Sequence, residues 1–166
     1  MSEKTARNLA LALAAESQAS ARNTAFAQKA EHEANPLLAR LFRALAESES
    51  VQARRVLLLL RGKIGGSREN LESALFRNQR AAEQEYPSMI REAEEEGLKT
   101  ALMAFSQSRE VEPLQAALLE RALAEDLTAP DEDYYVCQVC GYVSESRAPE
   151  SCPVCGAIPG KFKRVV

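Results

Sequence analysis

Four cysteines stand in two matched pairs near the end of the chain, Cys137-Gln-Val-Cys140-Gly141 and Cys152-Pro-Val-Cys155-Gly156. Eleven residues, Gly141 to Ser151, separate them. Each C-x-x-C folds most easily as a tight turn with both thiolates on one side. The glycine that follows tolerates the positive φ needed to aim backbone N–H groups at the sulfurs. Two such turns face to face make a tetrahedral S₄ site, a geometry that suits Zn²⁺ or a single iron. Disulfides belong to oxidising compartments, and a redox-active C-x-x-C does not explain two matched pairs with paired glycines. The spacing therefore points to one metal ion held by Cys137, Cys140, Cys152 and Cys155. A segment this short is too small to fold on core burial alone, so the metal should also hold it together. The cysteines by themselves do not separate iron from zinc.

A second set of polar residues lies in the middle of otherwise apolar helical stripes: Glu16, Glu49 with Gln52, Asn78, and Glu112 with Gln115. An interior carboxylate is expensive unless it is paired, protonated or bound to metal. Left unpaired, these should hold their protons more tightly than usual. Di-iron sites in helical bundles take a Glu from each of two helices and Glu-x-x-His from each of two others, because i and i+3 share a face. This chain offers Glu16 alone, Glu49-x-x-Gln52 and Glu112-x-x-Gln115. Its one histidine, His32, reads as an exposed residue near the end of the first helix. Carboxamides donate hydrogen bonds, so Gln52, Asn78 and Gln115 can satisfy the three carboxylates without metal. Arg109 or Arg55 is the expected compensating charge, and Glu83 or Glu85 a carboxylate in reserve.

The elements that must position these groups are helices. Apolar residues recur with helical periodicity from about residue 4 to 128, and the composition, rich in Ala and Leu with 5% aromatics and no Trp, favours helix. Asn35-Pro36, Gly62 with Gly65-Gly66-Ser67, Gly97 and Pro130 divide the stretch into helices at roughly 4–33, 36–61, 67–96 and 98–128. Ser67 is a weak cap for the third. Pro87 and Pro113 should kink the third and fourth. Long helices with one apolar stripe each bury themselves most simply as an antiparallel bundle. After Pro130 the composition changes, with all four cysteines and four aromatics close together. Two domains are expected, 1–129 and 130–166.

The balance of 21 basic and 24 acidic residues, net −3, argues against nucleic acid or an anionic membrane as partner. The longest strongly apolar run, Val56 to Leu60, is far below the roughly 20 residues of a membrane span. Leu9 to Ala15 after Lys4 and Arg7 faintly resembles a signal peptide, but Glu16 interrupts it. A cytoplasmic protein is expected. Gly65-Gly66-Ser67 lacks the spacing and lysine of a phosphate loop, and Glu92–Glu96 reads as a solvated helix face.

The segment from Tyr135 to Val143, with Cys152-Pro-Val-Cys155-Gly156, resembles the rubredoxin-like module that ends rubrerythrins. The helical part is similar to the same family at Ala15–Ala19, Phe26–Glu31, Leu41–Glu47, Glu69–Leu71, Tyr86-Pro87, Glu92–Gly97 and Glu110–Glu112, in family order over nearly the whole chain. The resemblance implies a mainly α fold, a ferritin-like four-helix bundle followed by a rubredoxin-like Cys₄ module. It implies a homodimer, one iron on the four thiolates passing single electrons, and peroxide reduction at a di-iron centre. The ligands depart from the family. Rubrerythrins have His where this chain has Gln52 and Gln115, and Glu where it has Asn78 and Ala81. Glu16, Glu49 and Glu112 match, so four of seven ligand positions are changed. The expectation is a protein with one iron in the Cys₄ site, an unidentified redox partner and no di-iron centre. The alternatives are a non-catalytic protein with structural zinc, and an active peroxidase with an unusual metal centre.

Overall fold

The computed structural model describes residues 1–60, 62–124 and 133–165. They fall into two compact units, Met1–Gly65 and Gly66–Val166. The expected boundary near residue 130 lies outside the described residues.

The first unit is a helical hairpin of α1 (Glu3–His32) and α2 (Pro36–Leu59). Ser2 caps α1 by accepting from the Thr5 N–H. The turn that reverses the chain satisfies the last carbonyls of α1 in order: Ala34 N–H donates to Glu31 O and Asn35 N–H to Ala30 O. This closure needs a left-handed residue, and Ala34 supplies it at φ 56°. Asn35 then caps α2 through the Leu38 N–H, and Pro36 takes the first turn, where a missing N–H costs least. The buried seam is built of alanines, Ala27 and Ala30 on α1 and Ala39, Ala46 and Ala53 on α2. Those on α2 recur every seven residues, and small side chains let the helices approach closely. The Ser20 hydroxyl donates across the seam to Ala46 O at 2.8 Å. The larger stripe residues Phe26, Leu38, Leu41 and Leu45 stay exposed beside it.

The second unit begins with α3 (Ser67–Arg80), a π turn (Ala81–Glu85) and α4 (Tyr86–Glu95), followed by α5 (Lys99–Ala124). The sequence predicted one kinked helix over 67–96. The chain instead widens one turn just ahead of Pro87, with Tyr86 N–H reaching back to Ala81 O. The widened turn puts Pro87 in the first turn of α4, where no N–H is required. The start of α3 also differs from expectation: Gly66, not Ser67, is the cap, and its N–H donates to the Glu69 carboxylate at 2.8 Å. Gly97, at φ 70°, closes α4 with the same pair of bonds that Ala34 makes after α1. Helix α5 runs through Pro113 without a break, and the expected stretch to 128 passes beyond the described residues at 124.

A three-stranded antiparallel sheet, order β2-β1-β3, completes the unit: β1 (Tyr134–Cys137), β2 (Val143–Glu145) and β3 (Phe162–Val165). Tyr135 pairs with Ser144 on one side and Arg164 on the other. Tyr142 meets Phe162 edge to face at 6.5 Å, a small aromatic core under the cysteine loops. No helix among the described residues is long and apolar enough to cross a membrane.

Candidate metal centre

The two C-x-x-C turns are built alike. Gly141 N–H donates to Cys137 O at 3.0 Å, and Gly156 N–H to Cys152 O at 2.9 Å. Both glycines take the left-handed conformation, φ 83° and 73°. A second matched pair of bonds ties each loop shut, from Cys137 N–H to Tyr142 O and from Cys152 N–H to Ala157 O, both 2.8 Å. This local symmetry brings all four Sγ atoms within 4.8 Å of one another. Cys137 and Cys155 are 3.6 Å apart, and Cys140 and Cys152 3.5 Å. Metal–sulfur bonds of 2.3 Å in a regular tetrahedron give edges of about 3.8 Å. The donor set therefore fits one tetrahedral ion.

Backbone dipoles are aimed at these sulfurs. Burial acts to raise the Cys137 thiol, but N–H groups of Cys140 and Val139 outweigh it and hold it below the ordinary thiol value. Burial pushes Cys140 up, against the Tyr142 N–H, and raises Cys155, against the Ala157 N–H. Without a cation burial disfavours the thiolates of Cys140 and Cys155, whereas a bound metal removes that penalty. Cys137 and Cys152 are buried, while Cys140 and Cys155 are half-buried and form the outward edge.

The helical polar residues fall into separate settings. In the first unit Glu16 and Glu49, both half-buried, share a hydrogen bond, and this together with burial and the neighbouring charge raises the Glu49 carboxyl above its usual value. Gln52 is exposed. His32 is exposed too, as expected.

In the second unit Glu112 is buried between α3 and α5. Its Oε1 accepts from Arg77 Nη1 at 2.5 Å. Asn78 is also buried, and its amide lies 3.1 Å from that of Gln115. With the Asn78 nitrogen turned toward the acceptors around it, it donates to Glu112 Oε2 at 3.2 Å and to Ala74 O at 3.1 Å. Ala81 is fully buried. Of the three carboxamides, Asn78 alone serves a carboxylate directly, Gln115 meets Asn78 rather than Glu112, and Gln52 is exposed; the compensating charge is Arg77. Arg109 instead donates to Ala82 O at 3.3 Å. Glu85 is engaged by Arg80 at 2.5 Å, and Glu83 lines an open cleft with Arg109 and Glu120. Arg77 was missed because it sits beside the polar stripe rather than in it. The available signal was a basic residue next to Asn78.

The comparisons with known proteins agree with both parts of the chain. The rubrerythrin family model matches residues 7–123, and the rubrerythrin rubredoxin-like domain model matches residues 135–163. Nigerythrin of Nitratidesulfovibrio vulgaris is 32% identical over an alignment covering 91% of this chain and 81% of nigerythrin. Rubrerythrin of Porphyromonas gingivalis is 34% identical, with 92% and 85% covered. Solved structures of nigerythrin in a partially reduced and a fully reduced, all-ferrous state are 28% identical, with a TM-score of 0.58 over 97% of this chain and 86% of theirs. The fold is accordingly mainly α, ferritin-like helices followed by a rubredoxin-like module with a Cys₄ metal site. The chain belongs to the rubrerythrin family.

Proposed function

We propose that Cys137, Cys140, Cys152 and Cys155 hold one iron used for single-electron transfer, and that the helices carry no di-iron centre. The observation that supports this most directly is the contrast in donors. Four sulfurs lie at tetrahedral spacing, whereas Glu112 already binds an arginine. When bound, iron supplies the one-electron chemistry. The protein's part is to spread the thiolate charge, through N–H groups of Val139, Cys140, Tyr142 and Ala157 on the sulfurs. Such donors stabilise the more negative reduced state, burial of Cys137 and Cys152 opposes it, and the balance tunes the potential. Cys140 and Cys155, the half-buried pair, are the ligands through which an electron would leave.

Glu16, Glu49 and Glu112 are in this reading the remnants of a bundle site, with Gln52, Asn78 and Gln115 standing where other ligands would be needed. Peroxide reduction at a di-iron centre is therefore not part of it. The reading includes a cytoplasmic homodimer, for which exposed Leu38, Leu41 and Leu45 offer apolar surface. A visible spectrum of protein produced with iron available tests the chemistry. A red protein that bleaches on reduction is expected. A colourless protein with one zinc per chain would replace the reading by structural zinc, and three irons per chain would replace it by a peroxidase.

A further inference from the structure

Glu112 is a carboxylate that the fold takes out of water, its side chain being 7% exposed. A buried charge of this kind must be met by a counter-charge and by hydrogen bonds. Both of its oxygens are met from α3, Oε1 by the Arg77 guanidinium and Oε2 by the Asn78 amide. With the Asn78 nitrogen so turned, its oxygen faces the Gln115 amide, one turn along α5, at 3.1 Å. Among the described residues no buried side-chain polar atom lacks a partner. Each oxygen of Glu112 thus has its own donor within the fold, and one of the two donors is a full positive charge.

The donor set does not fit the family's di-iron centre. Asn78, Ala81 and Gln115 bring no charge, and a fixed positive charge lies 2.5 Å from the remaining carboxylate of this unit. Arg77 cannot relieve the conflict by losing a proton, because arginine stays charged and the Glu112 contact strengthens its hold further. Its side chain is 59% exposed, so its stem comes in from the rim and only the head reaches the carboxylate.

We infer that Arg77 is a resident cation: it takes the place of a metal charge between α3 and α5 and excludes divalent ions from Glu112. The inference rests on the proposed absence of a di-iron centre and names the residue that enforces it. A divalent ion on Glu112 would face the guanidinium at a few ångströms. Even with the water-like screening that the 59% exposure of Arg77 allows, that repulsion weakens binding roughly tenfold or more.

The test uses full-length protein with its Cys₄ site loaded, and Mn²⁺ as the probe, read by its free-ion EPR signal. Mn²⁺ prefers oxygen ligands and leaves thiolate sites alone. The variants are Arg77→Met, Arg77→Lys and Arg77→Met/Glu112→Gln, with Arg68→Met as the control for an exposed ion pair on the same helix. Arg77→Met should lower Tm by about 5 °C, since it strands a buried carboxylate whose partner was only partly desolvated. Arg77→Lys should keep most of that loss back, and the double variant should recover it. Arg77→Met should also bind Mn²⁺ roughly tenfold more tightly than the parent, and the gain should vanish with Glu112→Gln. If Arg77→Met behaves like Arg68→Met in both measurements while the parent binds no Mn²⁺, the role given to Arg77 is wrong and the proposed function stands. If the parent itself binds two Mn²⁺ per chain, lost on Glu112→Gln, the proposed absence of a bundle centre fails with it.

Discussion

The cysteine loops and the layer between α3 and α5 meet the same difficulty, buried groups that carry negative charge, and resolve it differently. The loops keep four sulfurs converging on one point, and their N–H donors cannot neutralise more than a fraction of the charge. That cluster is complete only with a metal. The helical layer reduces its charge to one carboxylate and brings a guanidinium and an amide to it. In the proposed reading that cluster needs no metal. The difference lies in the donors: a protein can replace a metal where it needs one positive charge and two hydrogen bonds, but not where it needs four thiolates held together.

The comparison breaks most visibly on metal removal. Chelation under reducing conditions should unfold residues 133–165, with a loss on the order of 10 kcal/mol of binding energy, while the helical circular dichroism signal stays. If both are lost together, the helices also depend on metal. Next in size is Arg77→Met, for which denaturant titration should show a loss of about 2 kcal/mol after allowing for the exposure of Arg77. Replacing buried Asn78 by Leu should cost about 1–2 kcal/mol by the same measurement, because Glu112 Oε2 and Ala74 O lose their donor. Ala34→Gly should stabilise the hairpin by about 1 kcal/mol, since it relieves a side chain held at φ 56°.

The smallest effect concerns Glu49. Its carboxyl binds a proton more tightly in the fold than in the unfolded chain, chiefly through its hydrogen bond with Glu16. Its contribution is therefore full below the ordinary glutamate range and fades as pH rises through the raised value. Glu49→Gln should show a higher Tm than the parent at pH 8 and little difference at pH 4. An equal difference at both pH values would remove the shared proton from the account.

The cysteine loops were legible in the sequence because all their geometry is local: spacing, paired glycines and the metal determine it. The four helical stretches were legible for a similar reason, since Pro36, Gly97 and the apolar period mark them directly. The π turn was not, because Pro87 announces a disturbance but not where the chain absorbs it. Nor was the alanine seam: helical period alone does not say that α1 and α2 meet along Ala27, Ala30, Ala39, Ala46 and Ala53 while Phe26, Leu41 and Leu45 stay exposed. Arg77 was not singled out, for want of register. Its partner lies 35 positions away on a facing helix, and the candidate on Glu112's own helix, Arg109, turns to a carbonyl of the π segment.

Metal content per chain decides whether the Cys₄ site is the sole metal centre, measured on full-length protein produced with iron available and on its Cys137→Ser/Cys152→Ser variant. One ion per chain is expected in the first and none in the second. Three ions per chain, or two remaining when the cysteine site is destroyed, would place metal in the helical layer and contradict that expectation.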